Sequence, residues 1–271
     1  MKYTILALDL DGTLTNSKKE VTTETLNAVK RAAHAGVDVV LASGRPVLGI
    51  KNIAKELGLY ESGGYILAYN GAEIINCKTG EFVSKKELPM KYYGIICETA
   101  RKYNVNALTY DDVGILAESD DAKYVIKEAV NNSISIKKVD KLEDVVNYPV
   151  PKFMIVGEPE QLSLVKDELD KILGESISVF FSEPYFLELT PKNIQKDTSL
   201  DLLVKHLGKI TDELMCVGDG LNDIPMFKVS GLAVAMENAY PETKKYANDI
   251  TLSNDNDGVA YAIKKHIFEE I

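Results

Sequence analysis

The sequence predicts an α/β protein, a doubly wound parallel sheet interrupted by an inserted α+β cap module. Three observations carry that prediction. Residues 3–10, 37–42 and 65–69 are apolar runs without strict alternation, the pattern of strands buried on both faces, and helical spacing separates the first two. Near Leu88 the rhythm changes to helices beside hairpins, and after Pro191 the strand–helix rhythm returns. The outer pieces then form one core, with expected domains of residues 1–86 and 190–271 for the core and 87–189 for the insert.

Each element has its own signal. After the strand at 3–10, residues 22–35 read as a helix through Leu26, Val29, Ala32 and Ala33, with Thr22 as N-cap and Gly36 as stop. Residues 37–42 form the second strand, and Ser43-Gly44-Arg45-Pro46 opens a helix to about residue 57. Such alternation implies a parallel sheet with helices on its faces. Residues 65–69 are the third strand, and 70–88 a hairpin turning at 78–80. In the insert, 90–103, 122–131 and 159–173 read as helices. The strands there are 105–110, 114–118, 152–157 and a hairpin of 178–181 with 186–189. Pro149 and Pro151 read as a local turn inside the insert. Beyond it come a helix at 200–207, a buried strand at 214–218, a short helix at 223–229 and a last strand at 232–235.

Composition narrows the function classes. The chain has 271 residues, 45% hydrophobic and 27% charged, within the range of ordinary globular proteins. Its net charge of −10 disfavours nucleic acid and anionic membrane as partners, while leaving room for a local positive pocket. Cys77, Cys97 and Cys216 lie far apart, with no metal-type or disulfide-type spacing, and read as buried thiols of a reducing compartment. The N-terminal apolar stretch runs into aspartates and is too short for a signal peptide. No segment approaches the roughly 20 apolar residues that span a bilayer, so the cytoplasm is the expected location. Oligomeric state carries no signal.

The chemistry concentrates at strand ends. The stretch ILALDLDGT places Asp9 and Asp11 two apart, on one face if the strand continues through them. Two such carboxylates repel unless a cation or donor lies between them, and Mg²⁺ binds through one or two carboxylates plus a substrate phosphate. In open α/β sheets ligands gather beyond the carboxyl ends of the strands, where both aspartates lie. The bland alternative is a turn at Asp11-Gly12 with Asp9 as a cap. A second strand ends in Ser43-Gly44-Arg45-Pro46, where a hydroxyl and backbone N–H groups suit an anion or, more plainly, an N-cap. A third ends in Gly218-Asp219-Gly220-Leu221-Asn222-Asp223, an acidic loop that is either a site or merely solvated.

Taken together, these residues resemble the haloacid dehalogenase-like hydrolase superfamily. Its first motif, DxDGT, matches Asp9-Leu10-Asp11-Gly12-Thr13; its second, a strand-terminal Ser or Thr, matches Ser43; its third, a Lys, resembles Lys196; its fourth, GDxxND, matches Gly218, Asp219, Asn222 and Asp223. The AYNGA stretch at 68–72, AMENA at 235–239 and the later SNDNDGVA are similar to the Cof-like sugar phosphatase branch, whose Rossmann-like core carries a large type IIB α+β cap.

The resemblance implies a Mg²⁺-dependent phosphatase acting on small phosphomonoesters, such as sugar phosphates or phosphorylated cofactors, through an aspartyl-phosphate. It casts Asp9 as nucleophile, Asp11 as general acid/base and Lys196 as the third catalytic residue. Leu10, Ser43, Gly44 and Asn222 would meet the phosphoryl group. Mg²⁺ would sit on Asp9, the Asp11 backbone carbonyl and Asp219, with Asp223 or Asn222 in support. The implied cap closes over the site and selects the substrate. Two other readings stay open: a phosphohexomutase of the same superfamily, and a non-catalytic phosphoacceptor or Mg²⁺-binding regulatory module.

One departure stands out. The branch reads PxGVxKGxAL around its third motif, whereas this chain reads Pro191-Lys192-Asn193-Ile194-Gln195-Lys196-Asp197-Thr198-Ser199-Leu200. Asn193 tolerates positive φ almost as glycine does, Asp197 is a candidate cap for the following helix, and Lys192 is a rival to Lys196. His34, His206 and His266 have no metal-like spacing and read as surface or edge residues. Tyr92, Tyr93, Tyr185 and Phe186 read as packing aromatics or substrate contacts.

Overall fold

A computed structural model describes residues 1–271. The first part of the chain gives β1 (Ile5–Leu8), α1 (Thr23–His34), β2 (Asp38–Ala42), α2 (Val47–Glu56), α3 (Leu59–Ser62), β3 (Tyr65–Ala68), β4 (Glu73–Asn76) and β5 (Phe82–Lys85). The middle gives α4 (Tyr93–Lys102), β6 (Asn106–Tyr110), β7 (Gly114–Ala117), α5 (Lys123–Asn132), β8 (Ser135–Lys138), α6 (Leu142–Val145), β9 (Phe153–Val156), α7 (Pro159–Leu173), β10 (Ile177–Glu183) and β11 (Phe186–Pro191). The last part gives α8 (Lys196–His206), β12 (Leu214–Gly218), α9 (Ile224–Val229), β13 (Leu232–Ala235), α10 (Pro241–Lys244), β14 (Asp249–Ile250) and α11 (Gly258–His266). Two compact units result, one of Met1–Ser84 with Gln195–Ile271, the other of Lys85–Ile194.

The discontinuous unit is built on an eight-stranded sheet in the order β14-β13-β12-β1-β2-β3-β4-β5, parallel from β14 to β3 and antiparallel from β3 to β4. β1 lies at the centre, between β2 and β12, so the chain winds outwards from it in both directions. That makes the carboxyl ends of β2, β1 and β12 the switch point of a doubly wound fold. Ile5, Leu6, Ala7 and Leu8 are wholly buried, which is why β1 reads as a continuous apolar run. Thr22 caps α1 by accepting the Thr25 N–H at 3.2 Å, and Gly36, at φ +90°, follows its end. Pro46, without a side-chain bond, is the N-cap of α2, so Ser43 does not serve as one.

The contiguous unit carries a six-stranded sheet, β10-β11-β9-β6-β7-β8, antiparallel except for the β7–β8 pair. Tyr93 and Ile96 of α4 and Leu162 and Val165 of α7 pack with Ala107, Phe153, Ile155 and Leu187 in its apolar core. Tyr93 is a packing aromatic: its ring lies 4.8 Å from that of Phe153, and its hydroxyl donates to Leu88 O. Polar residues are buried in this unit as well. Glu188 pairs in register with Met154, and Met154 with Leu108. Lys152 Nζ lies 3.4 Å from Glu188 Oε2, while Glu128 Oε1 accepts from Tyr110 OH at 2.6 Å and from Asn132 Nδ2 at 2.8 Å. Lys152 is 1% exposed, and Glu188 and Glu128 are 5% exposed each.

Several elements lack a counterpart in the sequence reading, among them the one-turn helices α3 and α10 and the longer α11. β8 is mostly exposed and polar, SIKK; β14 has only two residues; α6 spans one turn. α8 also begins four residues before the expected helix, which puts Lys196 at its first position.

Candidate active site

The aspartates and Ser43 singled out in the sequence sit where β2, β1 and β12 end, and Lys196 opens α8. β1 stops at Leu8, so Asp9, Leu10 and Asp11 belong to the turn that follows and not to the strand. Strand periodicity therefore does not by itself place the two aspartates on one face. Asp9 is buried, while the Asp11 carboxylate is partly exposed and lies outside the acidic cluster. That cluster is Asp9, Asp219 and Asp223, whose carboxylate oxygens lie within 4.8 Å of one another.

Lys196 ties the cluster together. Its Nζ lies 2.6 Å from Asp9 Oδ1 and 2.6 Å from Asp223 Oδ1, with the lysine only 1% exposed. Asp223 is fully buried, and its Oδ2 accepts the backbone N–H groups of Asp219 at 3.0 Å and Gly220 at 2.8 Å. Both Asp223 oxygens are thus engaged inside the protein. Asp219 remains only partly buried, with Oδ1 accepting from Thr13 Oγ1 at 2.8 Å. Gly12, at φ +80°, passes so close that a Cβ there would lie 2.4 Å from Asp219 Oδ2.

Three carboxylates against one ammonium leave an excess of negative charge. Burial, then the charges of Asp223 and Asp219, push Asp9 up to about 8 against the pull of Lys196. Burial likewise raises Asp219 to about 6, with Asp223 adding to it and the Thr13 hydrogen bond opposing. For Lys196, burial disfavours the charge, but Asp223 and Asp9 outweigh it and hold the ammonium above its usual range. A small, hard divalent cation fits such an all-oxygen set and would balance its charge.

Asp11 follows another logic. Burial would raise it, but the hydrogen bond and charge of Arg45, with Lys19 behind them, leave it below the usual carboxylate range. Arg45 Nε donates to Asp11 Oδ2 at 2.7 Å and Nη2 to Oδ1 at 2.6 Å, a two-pronged pair.

Ser43 is buried at the end of β2, and its Oγ accepts the Arg45 N–H at 3.1 Å. At Gly44 an added Cβ would lie 3.2 Å from Asn70 Nδ2, and Asn70 Oδ1 is buried without a hydrogen-bond partner. Leu10 has its side chain in the core, so any contact with a ligand passes through its backbone. Asn222 is exposed. Lys192 is exposed too, whereas Lys196 reaches Asp9. Asn193 does adopt positive φ, +58°. Asp197 does not cap α8: Gln195 is the N-cap, and Asp197 sits in the first turn, where its charge favours the helix dipole.

Sequence reasoning missed the roles of Arg45, Thr13 and Lys19. For Arg45 and Thr13 the signal was present, since both stand inside the quoted motifs. The histidines form no metal site; His266 Nε2 is 2.7 Å from Asp249 Oδ2, and His34 and His206 are exposed. All three cysteines are buried free thiols.

Comparison with known proteins agrees across the whole chain. The sequence model for haloacid dehalogenase-like hydrolases matches residues 6–263. YxeH of Bacillus subtilis, named as a phosphatase, is 34% identical over 265 residues, 96% of this chain and 97% of its own. A haloacid dehalogenase-like hydrolase from Bacteroides thetaiotaomicron superposes with a TM-score of 0.96 at 44% identity, covering 97% of this chain and 99% of that one. The subclass IIB sugar phosphatase BT4131 superposes with a TM-score of 0.81 at 26% identity, covering 98% and 99%.

Proposed function

Because the chain belongs to the haloacid dehalogenase-like hydrolases and is a phosphatase of that family, we propose that it hydrolyses small phosphomonoesters with Mg²⁺ through an aspartyl-phosphate on Asp9. The observation that carries this reading is Lys196, 2.6 Å from both Asp9 and Asp223, at the carboxyl ends of β1 and β12. Lys196 holds Asp9 Oδ1 and fixes the carboxylate plane, which leaves Oδ2 to attack. The Asp9–phosphorus bond forms as the phosphorus–oxygen bond to the alcohol breaks, and Asp11, which must first take up a proton against the pull of Arg45 and Lys19, passes it to the departing oxygen. Water then bonds to phosphorus, the Asp9–phosphorus bond breaks, and a proton of the water returns to Asp11. Alcohol and inorganic phosphate leave, and both aspartates are restored.

Mg²⁺ would be held by Asp9, Asp219 and the Asp11 carbonyl, with Asp223 behind them, since both Asp223 oxygens already have protein partners. Bound there, the ion neutralises phosphoryl charge, the main requirement of phosphoryl transfer. Ser43, the Gly44 N–H, the Leu10 backbone and Asn222 are assigned to the phosphoryl oxygens. Sugar phosphates are the favoured substrates, supported by the likeness to a subclass IIB sugar phosphatase. Choice among them is assigned to the inserted unit. The test is phosphate release from p-nitrophenyl phosphate and a sugar-phosphate panel, with Mg²⁺ and with EDTA, beside Asp9→Asn. Release that needs Mg²⁺ and disappears in Asp9→Asn is the expected result. Transfer between sugars without free phosphate would overturn hydrolysis in favour of a mutase.

A further inference from the structure

Asp11 is the one aspartate of the site that faces two cations, and the way it is held has a direction. A carboxylate offers about four acceptor positions, two on each oxygen. Oδ1 receives Arg45 Nη2 at 2.6 Å and Lys19 Nζ at 2.5 Å, which fills it. Oδ2 receives only Arg45 Nε, at 2.7 Å. One position on Oδ2 therefore has no partner within the protein, and the guanidinium plane fixes where it points.

The two cations are not equivalent. The Arg45 side chain is 14% exposed, whereas that of Lys19 is 61% exposed. Arg45 is anchored along its length. Its N–H donates to Ser43 Oγ at 3.1 Å, its carbonyl accepts from Tyr69 N at 3.0 Å, and Nη1 reaches Gly49 O at 3.3 Å. A rigid fork on a fixed loop sets the orientation of a carboxylate; a solvated ammonium on a flexible stem does not. The same loop carries Ser43, so the phosphate-facing hydroxyl and the clamp on Asp11 move as one piece.

We propose that Arg45 is a positioning residue for Asp11, presenting Oδ2 to the departing alcohol and keeping Oδ1 out of proton transfer. The proposal rests on the reading of Asp11 as general acid/base. Arg45 itself neither bonds to phosphorus nor carries the proton.

The test compares two leaving groups. Nitrophenolate departs without help, whereas a sugar alkoxide needs the proton. Water attack on the aspartyl-phosphate uses Asp11 whatever the alcohol, so the readout is kcat/KM, which reports only the steps up to alcohol departure. In Arg45→Met it should fall about 10²-fold for a sugar phosphate, the cost of misplacing a reacting group, and less than about 5-fold for p-nitrophenyl phosphate. Arg45→Lys, a point charge without the fork, should not rescue the sugar phosphate rate. Equal losses on both substrates or rescue by Arg45→Lys would overturn the proposal. The first points to a merely structural role and the second to charge alone. Asp11→Asn separates the two levels. If its kcat/KM too is spared on p-nitrophenyl phosphate, the acid/base reading holds and Arg45 is judged on its own result; if kcat/KM falls equally on both substrates, that reading fails and the proposal with it. Melting temperature and circular dichroism confirm that each variant is folded.

Discussion

Gly12 and Asp219 are in contact through a missing side chain: a Cβ on Gly12 would lie 2.4 Å from Asp219 Oδ2. The glycine also sits at φ +80°, where any other residue carries backbone strain of about 1–3 kcal/mol. Gly12→Ala should therefore displace the Asp219 carboxylate. We expect Mg²⁺ affinity and kcat to fall together, by roughly 10²-fold for one misplaced charged group, with the α/β circular dichroism retained. Isothermal titration with Mg²⁺ beside phosphate-release kinetics checks it; unchanged affinity would mean that Asp219 does not hold the ion.

Lys196 is the only ammonium bonded to the acidic cluster. Removing one partner from a buried ionic network typically costs about 3–5 kcal/mol. Lys196→Met should be destabilised by that order and lose roughly 10²–10³-fold in kcat. Its chemical denaturation should shift less in Mg²⁺ than in EDTA, because the ion replaces part of the missing charge. Equal shifts in both would argue that the carboxylates do not share a cation.

Metal binding should also register in the parent protein. A ligand that binds only the folded state at 100 times its Kd adds about 2.7 kcal/mol, or roughly 5 °C of Tm in a chain of this size. Thermal melts with and without Mg²⁺ at matched ionic strength should show such a rise, and Asp219→Asn should abolish it.

The buried polar residues of the inserted unit give a pH test. Burial raises Glu128, against the opposing charge of Lys152 and the hydrogen bond of Tyr110, with Glu188 adding to the rise and Asn132 opposing it. With the folded value above the unfolded one, the native state binds more protons between the two, so stability falls as pH rises through that window. Glu128→Gln keeps an acceptor for Tyr110 and removes the titration. Its Tm relative to the parent should increase from about pH 4.5, the ordinary carboxylate value, towards neutrality; a constant difference would refute the shift.

How far the sequence discloses all this depends on the kind of interaction. β1, β2 and β12 were legible because strands buried on both faces are continuous apolar runs, and a polar residue at the end of such a run is conspicuous. β8 was not, because an edge strand reading SIKK has no apolar face to announce it. The Arg45–Asp11 pair was hidden for another reason. The two residues are 34 apart, and an arginine beside a proline in a loop looks like any solvated cation. A shared face for Asp9 and Asp11 does not follow from period-two reasoning, because the strand ends at Leu8. Asn193 was read correctly since φ tolerance belongs to the residue itself, while the place of Asp197 depended on where α8 begins.

The interrupted unit also sets an order of events during synthesis. Asp9 leaves the ribosome early, but its partner Lys196 follows 187 residues later, about 10–40 s at typical elongation rates. β12 follows later still, and until it is made β1 lacks a neighbour and the sheet has an open seam at its centre. Lys85–Ile194 is continuous and carries its own apolar core, so it can fold while that seam waits. The acidic cluster is therefore among the last features to assemble, and a nascent chain halted before β12 would expose a naked hydrophobic edge for chaperones to shield.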